Sequence, residues 1–550
     1  MSAREVLQAT AKGGGSVDGA GAIIDHLDLW TGAVTKKSSS GRGNNGKIEL
    51  TGIKKLRELI FELASRGALI PKVNDSARIL KLQEFAELVM GQAPPGSECN
   101  KNGIGEIFVK TGEFGAIYPE VKEWTTKPLR MARQGDVLIC VVGATVGKLN
   151  MAIDCAIGRS VAAIRPDETV IPEYLYYCLI PFTLKIRSQS KGSAQGVIGK
   201  AVLNNVELRV PPIDEQKQIV QKVDELMALC DRLEQQTSDQ LEAHETLVDT
   251  LLATLTQAED ANTLADAWAR LAAHFDTLFT TEQSIDKLKQ TILQLAVMGR
   301  LVEQDAGDGT AKELLAGIER QKQEFVKAKK IKPPKKLPAI TAEEALFDIP
   351  QNWQWVKFGE LGLFINGDRS KNYPNKEEYV ERGVAWINTG HIEPDGTLTQ
   401  AHMNFITREK FDSLRSGKIK ATDLVYCLRG ATFGKTAFVT PYEEGAIASS
   451  LMIIRPYLPA MRSYIYRYLT SPFGRSQIFR FDNGSAQPNL SANSVMMYAF
   501  PLPPLEEQHR IVRKVDELMA LCDRLKERLS QARETRCHLA EAVVEKGLSA

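Results

Sequence analysis

The sequence predicts an α+β chain: two mixed α/β domains joined by long antiparallel coiled-coil helices, in a pseudo-twofold circular arrangement. Lys222 to Leu233 and Lys514 to Leu525 both read KVDELMALCDRL. Ile53, Leu56, Ile60, Leu63, Ala64, Gly67 and Leu69 are matched in order by Ile285, Leu288, Ile292, Leu295, Ala296, Gly299 and Leu301. Between these helical repeats lie two stretches, 81–212 and 346–504, rich in Gly, Val, Ile, Thr and aromatic residues. Their short apolar runs between turn residues read as strands. Self-similarity over so long a period sets the architecture before any local assignment.

Each identical segment is preceded by a helix start. Pro211-Pro212-Ile213-Asp214-Glu215-Gln216 faces Pro503-Pro504-Leu505-Glu506-Glu507-Gln508. Proline suits a first helical turn, and carboxylates there favour the helix dipole. Ile219, Val223, Leu226, Cys230 and Leu233 then step by four and three, as do Ile511, Val515, Leu518, Cys522, Leu525 and Leu529. That is the seam of a coiled coil. In the first copy it weakens at Thr237 and His244 and is expected to resume at Leu247, Leu251 and Leu255. A continuous helix over that span is about 65 Å long, on the order of two turns of duplex DNA. A homodimer zipper or a packed core helix is the competing reading of the stripe. The other repeated helix ends at a glycine cap, Gly67 or Gly299. The predicted order is a flexible extension (1–50), a helical region (51–80), the first mixed domain (81–212) and a central helical spacer (213–302). A charged helix and linker (303–345), the second mixed domain (346–504) and a C-terminal helical region (505–550) follow.

The mixed domains share sparse landmarks. Gly135-Asp136-Val137-Leu138 leads to Gly143-Ala144-Thr145-Val146-Gly147-Lys148, and Asp423-Leu424-Val425 leads to Gly430-Ala431-Thr432-Phe433-Gly434-Lys435. Phe108-Val109-Lys110-Thr111-Gly112 answers Trp386-Ile387-Asn388-Thr389-Gly390, and Gly192-Ser193-Ala194-Gln195 answers Gly484-Ser485-Ala486-Gln487. Similar helices holding divergent middles describe one frame with two reading heads.

On these marks the chain resembles the specificity subunit of a type I restriction–modification system, from about Gly52 to Ala550. The paired Pro-Pro-x-x-Glu-Gln starts and the paired Gly-Ala-Thr-x-Gly-Lys loops carry the resemblance. The extension 1–50 and the insert 303–345 depart from it. The resemblance implies a non-catalytic subunit whose two target recognition domains read a bipartite, asymmetric site on double-stranded DNA. It implies that two methylation subunits dock on the helical frame and that restriction (motor and nuclease) subunits join them. S-adenosylmethionine, ATP and Mg are then expected on the partners, with no cofactor in this chain.

Net charge is only +1 over 69 basic and 68 acidic residues, so any nucleic-acid surface must be local. No apolar run approaches the ~20 residues of a membrane span, and the start lacks a signal core. Eight cysteines without a Cys-x-x-Cys pair fit a reduced, cytoplasmic protein. The expected DNA-contacting residues are Lys110, Thr111, Lys148 and Gln195 in the first domain. In the second they are Arg369, Lys371, Asn388, His391, Arg429, Lys435 and Gln487. Glutamine pairs with adenine edges, arginine with guanine, and a lysine on a glycine turn with phosphate. Glu215, Gln216, Glu507 and Gln508 are expected to dock partners. Gly143 to Lys148 has three residues between its glycines where a nucleotide-binding P-loop needs four. Gly41-Arg42-Gly43-Asn44-Asn45-Gly46 follows Lys37-Ser38-Ser39-Ser40 instead of a strand, so it reads as linker. The histidines lack metal spacing, and no methyltransferase signature or metal site is expected. Two other function classes use the same architecture: a single-chain DNA methyltransferase or nuclease, and a coiled-coil scaffold that never touches DNA.

Overall fold

The computed structural model describes residues 26–36, 48–70, 76–143, 145–189, 197–258, 261–430, 432–481 and 490–549. Its principal helices are α1 (Thr51–Arg66), α2 (Pro172–Gln189), α3 (Ile213–Gln257), α4 (Glu282–Val297), α5 (Ala311–Lys327) and α6 (Leu505–Ser549). The chain divides into two compact units. One comprises 1–243 with 530–550, the other 244–529.

Within each unit a short helix meets the first half of a long one through equivalent charges. In the first, the Arg57 guanidinium on α1 donates to Asp231 at 2.6 Å and reaches Glu234 at 2.7 Å. In the second, Lys289 on α4 pairs with Asp523, and Lys526 with Asp286 at 2.7 Å. Asp231 and Asp523 occupy the same place in the duplicated twelve residues. Both short helices close on the predicted glycine, at φ 69° for Gly67 and 71° for Gly299. A side chain at either site would be strained in backbone and would also collide, with Arg209 or with Pro350.

The predicted seam is buried at Ile219, Val223, Leu226, Cys230 and Leu233. Beyond it the expectation holds at Leu255 and fails at Leu247, where burial shifts by one residue to Val248. Leu247 is 51% exposed, and the buried stripe runs through Thr237, Val248, Leu252 and Leu255. The step from Thr237 to Val248 is eleven residues, the spacing a straight helix keeps, where a strict heptad drifts. The N-terminal extension also departs from expectation. Leu27–Gly32 is helical, and Trp30 is fully buried in the first unit's core beside Ile53 and Leu56. Trp30 is therefore a core residue of its own chain, within the stretch read as a flexible extension.

Each unit holds one mixed domain, and the two are built alike. In the first, a four-stranded sheet runs Ala86–Met90, Val161–Pro166, Val137–Cys140, Leu149–Met151. In the second the order is Gly362–Asn366, Leu451–Pro456, Leu424–Cys427, Thr436–Phe438. A second sheet pairs Glu106–Val109 parallel with Cys155–Ile157, as Val384–Ile387 pairs with Gly445–Ile447. A two-stranded ribbon, Arg78–Lys81 with Glu207–Val210, is matched by Gln354–Lys357 with Ala499–Leu502.

One buried ion pair recurs at the same corner. Asp136 accepts from Arg165 Nε at 3.0 Å and from its terminal nitrogen at 2.9 Å. Asp423 accepts both Arg455 nitrogens at 2.7 Å. Each carboxylate also receives a backbone N–H from three residues back, Arg133 at 2.9 Å or Lys420 at 2.7 Å. The glycine-aspartate landmark of the sequence is therefore a strand-end clamp.

The charged insert folds onto the second mixed domain and the start of α6. Thr310 caps α5, whose Ala311 and Ile318 enter the core, and Phe325 packs on Tyr457 with ring centroids 6.3 Å apart. Lys327, Lys329, Lys330, Lys332, Lys335 and Lys336 are exposed. Leu337 lies against Gly359, and Glu344 is buried on Lys357 at 2.6 Å.

Arg455→Ala strands the Asp423 carboxylate, which is fully buried, and is expected to cost about 3–5 kcal/mol. Limited proteolysis is expected to cleave the second mixed domain while sparing the first; equal resistance to wild type would contradict the clamp.

Candidate nucleic-acid interface

Strand direction gathers the predicted contact residues at one end of each mixed domain. In the second, Asn366 pairs with Met452 and Cys427 with Leu451. The segments following Asn366 and Cys427 and the one preceding Leu451 therefore emerge together. Ala448 donates its N–H to Ile387 at 2.7 Å, which brings Asn388-Thr389-Gly390-His391 to the same place. In the first domain Gly158 donates to Val109 at 3.0 Å and Val141 to Ser160 at 2.9 Å, assembling the equivalent loops. The lysine-rich insert lies elsewhere. Gly359 and Tyr457, which it packs against, sit beyond the opposite ends of strands Gly362–Asn366 and Leu451–Pro456.

The Gly-Ala-Thr-x-Gly-Lys loops are one turn made twice. Cys140 N–H donates to Lys148 O at 2.8 Å and Gly147 N–H to Cys140 O at 2.8 Å. Cys427 with Lys435, and Gly434 with Cys427, repeat both distances. Gly143 at φ 96° and Gly430 at φ 87° open the turn in the left-handed region, and a Cβ at either would meet no atom within 4 Å. The tip therefore stands clear of its own domain.

The predicted side chains at this end fare differently. Arg369, Lys371 and Lys435 are exposed. Lys110 leans over Phe108 at 5.6 Å and is held by Glu123, which raises its pKa. Lys148 donates to Phe114 O at 2.5 Å, so its ammonium braces the turn instead of standing free for a phosphate. Thr111 opens a short helical turn, Thr111–Glu113, in which Glu113 accepts the Lys110 N–H at 2.8 Å. Asn388 and His391 form the matching turn. The Asn388 side chain accepts from Gly390 at 2.9 Å, and His391 Nδ1 accepts the Asn388 N–H at 3.1 Å. His391 is 5% exposed and its pKa is lowered by burial. It is a neutral turn anchor, which corrects its expected place among the DNA-contacting side chains. Arg429 is half-buried, and its Nε is shielded from water without a partner. Gln195 and Gln487 lie outside the described residues.

Two residues missing from the predicted set join this end. Arg159 and Lys101, both exposed, line a cleft of about 470 Å³ with Asn100, Lys110 and Glu123. Their signal was topological, since each sits on a turn whose position depends on strand pairing absent from local sequence.

The expected partner-docking residues are instead a lock at the start of each long helix. Gln216 is fully buried; its amide donates to Thr169 O and Pro211 O at 2.8 Å, and its carbonyl accepts from Ile171 N at 2.8 Å. Gln508, equally buried, donates to Pro503 O at 3.0 Å. Glu507 is fully buried and accepts from Trp353 Nε1 at 2.9 Å, Gln304 at 2.7 Å and Asn352 at 3.3 Å. Burial raises its pKa, and those donors oppose the rise. Glu215 accepts from Arg209 at 2.7 Å. Gln216, Glu507 and Gln508 present no surface to a partner, and the motif's chemistry is internal. Among the described residues no cluster of side chains has metal-binding composition.

Residues 75–243 and 350–533 match the family described as "Type I restriction modification DNA specificity domain". The type I restriction enzyme EcoAI specificity subunit of Escherichia coli is 34% identical, covering 96% of this chain and 99% of the relative. The EcoEI specificity subunit of Escherichia coli is 33% identical with the same coverage. Among solved structures, a chain described under complex assembly and conformational transition of the type I R-M system is 18% identical. It covers 87% of this chain and 99% of its own, with a TM-score of 0.47.

Gln216→Ala removes the side-chain partner of three backbone groups, one of them buried, and is expected to cost about 1–3 kcal/mol in denaturant unfolding. Gln508→Ala is expected to cost less, because the Gln508 carbonyl oxygen has no partner to lose. Equal costs would contradict the asymmetry of the two locks.

Proposed function

The chain belongs to the family of type I restriction–modification DNA specificity subunits, and from that premise we propose that it is the non-catalytic address of a multisubunit complex. Each mixed domain reads a short half-site of double-stranded DNA in the major groove, aided by the shape of the duplex. The observation that carries this reading is the loop end. Two domains with one strand order in the four-stranded sheet and one hydrogen-bonded turn present different side chains there, Lys110 and Val142 in one, Asn388 and Arg429 in the other. One frame with two unlike tips suits a bipartite and asymmetric site. Modest overall charge fits if partners supply much of the phosphate grip.

Two methylation subunits dock on the helical frame and bring S-adenosylmethionine, while restriction subunits bring ATP and Mg. The repetition of the helical segments supports two equivalent docking places. Because the buried Glu–Gln lock offers none, the docking surface lies on outward positions of the long helices, such as Asp214, Lys217 and Glu506, all exposed. No helix among the described residues is long and apolar enough to cross a membrane.

Footprinting of the assembled complex is expected to show two protected patches separated by an unread gap, and absence of protection would overturn the reading. Removing one heptad from the long helices, about 10 Å, is expected to shorten the tolerated gap by about three base pairs. The half-site letters are expected to stay the same, and altered letters would contradict a spacer role.

A further inference from the structure

At the loop end the two mixed domains differ by a displaced arginine. The sheet registers align them residue by residue: Ile157 with Ile447, Gly158 with Ala448, Arg159 with Ser449, and Ser160 with Ser450. The adjoining turn aligns Cys140 with Cys427, Val141 with Leu428, and Val142 with Arg429. The two turns are neighbours in both domains. Val141 N–H donates to Ser160 O at 2.9 Å, and Leu428 N–H donates to Ser450 O at 2.9 Å. The first domain thus carries Val142 beside Arg159, and the second Arg429 beside Ser449. A single arginine sits on one turn in one head and on the adjacent turn in the other.

We propose that Arg159 and Arg429 are specificity-determining residues, each reading the major-groove edge of one guanine in its own half-site. The assignment rests on the DNA-reading function above. Of the lysines near these turns, Lys110 is committed to Glu123 and Lys148 to Phe114 O, while Lys101 and Lys435 are exposed. Among the described residues neither Arg159 nor Arg429 enters an ion pair. Arg159 is exposed on the rim of the cleft holding Asn100 and Lys101. Arg429 stands at the turn opened by Gly430, half-buried, with its Nε shielded from water and unpartnered. A guanidinium fork matches guanine N7 and O6 together, whereas a lysine ammonium cannot repeat that paired geometry. Val142, 36% exposed, suits an apolar contact such as a thymine methyl, and Ser449 makes a less exclusive polar contact. Moving the arginine by one turn shifts the base pair it reaches while leaving the sheet unchanged.

The test selects duplexes from a randomised library with the chain assembled with its methylation subunits. R159A, R159K, R429A and R429K are compared with wild type, and affinity for a fixed unrelated duplex is measured at one salt concentration. R159A and R159K are each expected to lose preference for one guanine by about 10- to 100-fold, in one half-site only. R429A and R429K are expected to lose one guanine in the opposite half-site, and affinity for the unrelated duplex changes little. Uniform weakening on all DNA would make these residues phosphate contacts and overturn the proposal. Unchanged preference, or loss in both halves from one substitution, would overturn it as well. If the wild-type assembly selects no sequence, the DNA-reading function itself falls; selection by wild type with indifferent variants sinks only the arginine assignment. The lysine variants keep charge and bulk, so a loss shared by both substitutions is not one of folding.

Discussion

A buried carboxylate sets the terms for the rest of this fold. Asp136 and Asp423 sit at strand ends with almost no contact with water. A charge in that position is tolerable only when its partner and hydrogen bonds are complete. The arginine that completes it comes from the adjacent strand, Arg165 or Arg455, and a backbone N–H of the preceding turn fills the remaining place. Satisfying that carboxylate fixes which strands are neighbours and in what register. With register fixed at one end, the opposite ends of the strands deliver their turns to one common surface. Side chains on that surface can then change without disturbing what holds them there. Such separation of frame from tip lets two domains keep one architecture while sharing little sequence.

The helical part obeys the same economy. The identical twelve residues are tied down on several sides at once. Their apolar seam enters a core, their aspartate meets Arg57 or Lys289, and the proline pair ahead of them is closed by a buried glutamine. Substitution of a seam residue or of the paired aspartate would break such a contact in either copy, which gives a physical reason for those positions to match. The glutamate beside that glutamine is freer in its choice of partner. Glu215 takes an arginine from the neighbouring ribbon, while Glu507 takes an indole and two amides from the linker. The insert 303–345 supplies Gln304 to that second lock, so its first turn is part of the fold of its unit.

Much of this was legible in the chain. The short and long helices, their glycine caps, the mixed domains between them and the paired turns all follow from repeats and periodicity. What was not legible has a common cause. Leu247 and Val248 differ in burial because the stripe follows the natural pitch of the helix, and only a packed neighbour shows where the heptad phase is lost. Gln216, Glu507 and Gln508 read as surface residues because polar side chains usually are. Their burial depends on groups contributed from distant positions, such as the backbone of Thr169 and Ile171 and the indole of Trp353. His391 was read as a loop residue, yet its ring closes its own turn. Arg159 was one basic residue among many until the pairing of strands put it beside Val142. Trp30 lay in a stretch whose Gly and Ser content suggested linker, and one buried indole outweighed that composition.

The central claim is that the duplex lies against the loop end of each mixed domain. A photo-reactive amino acid at residue 371, on the exposed segment that follows Asn366 in the second domain, and another at residue 334, within the lysine-rich segment, compare the two ends directly in the assembled complex on its DNA. Cross-links from 371 to bases of a single half-site, with little or no base cross-linking from 334, are the predicted result. Base cross-links from 334 and silence at 371 would place the DNA on the wrong face and contradict the account.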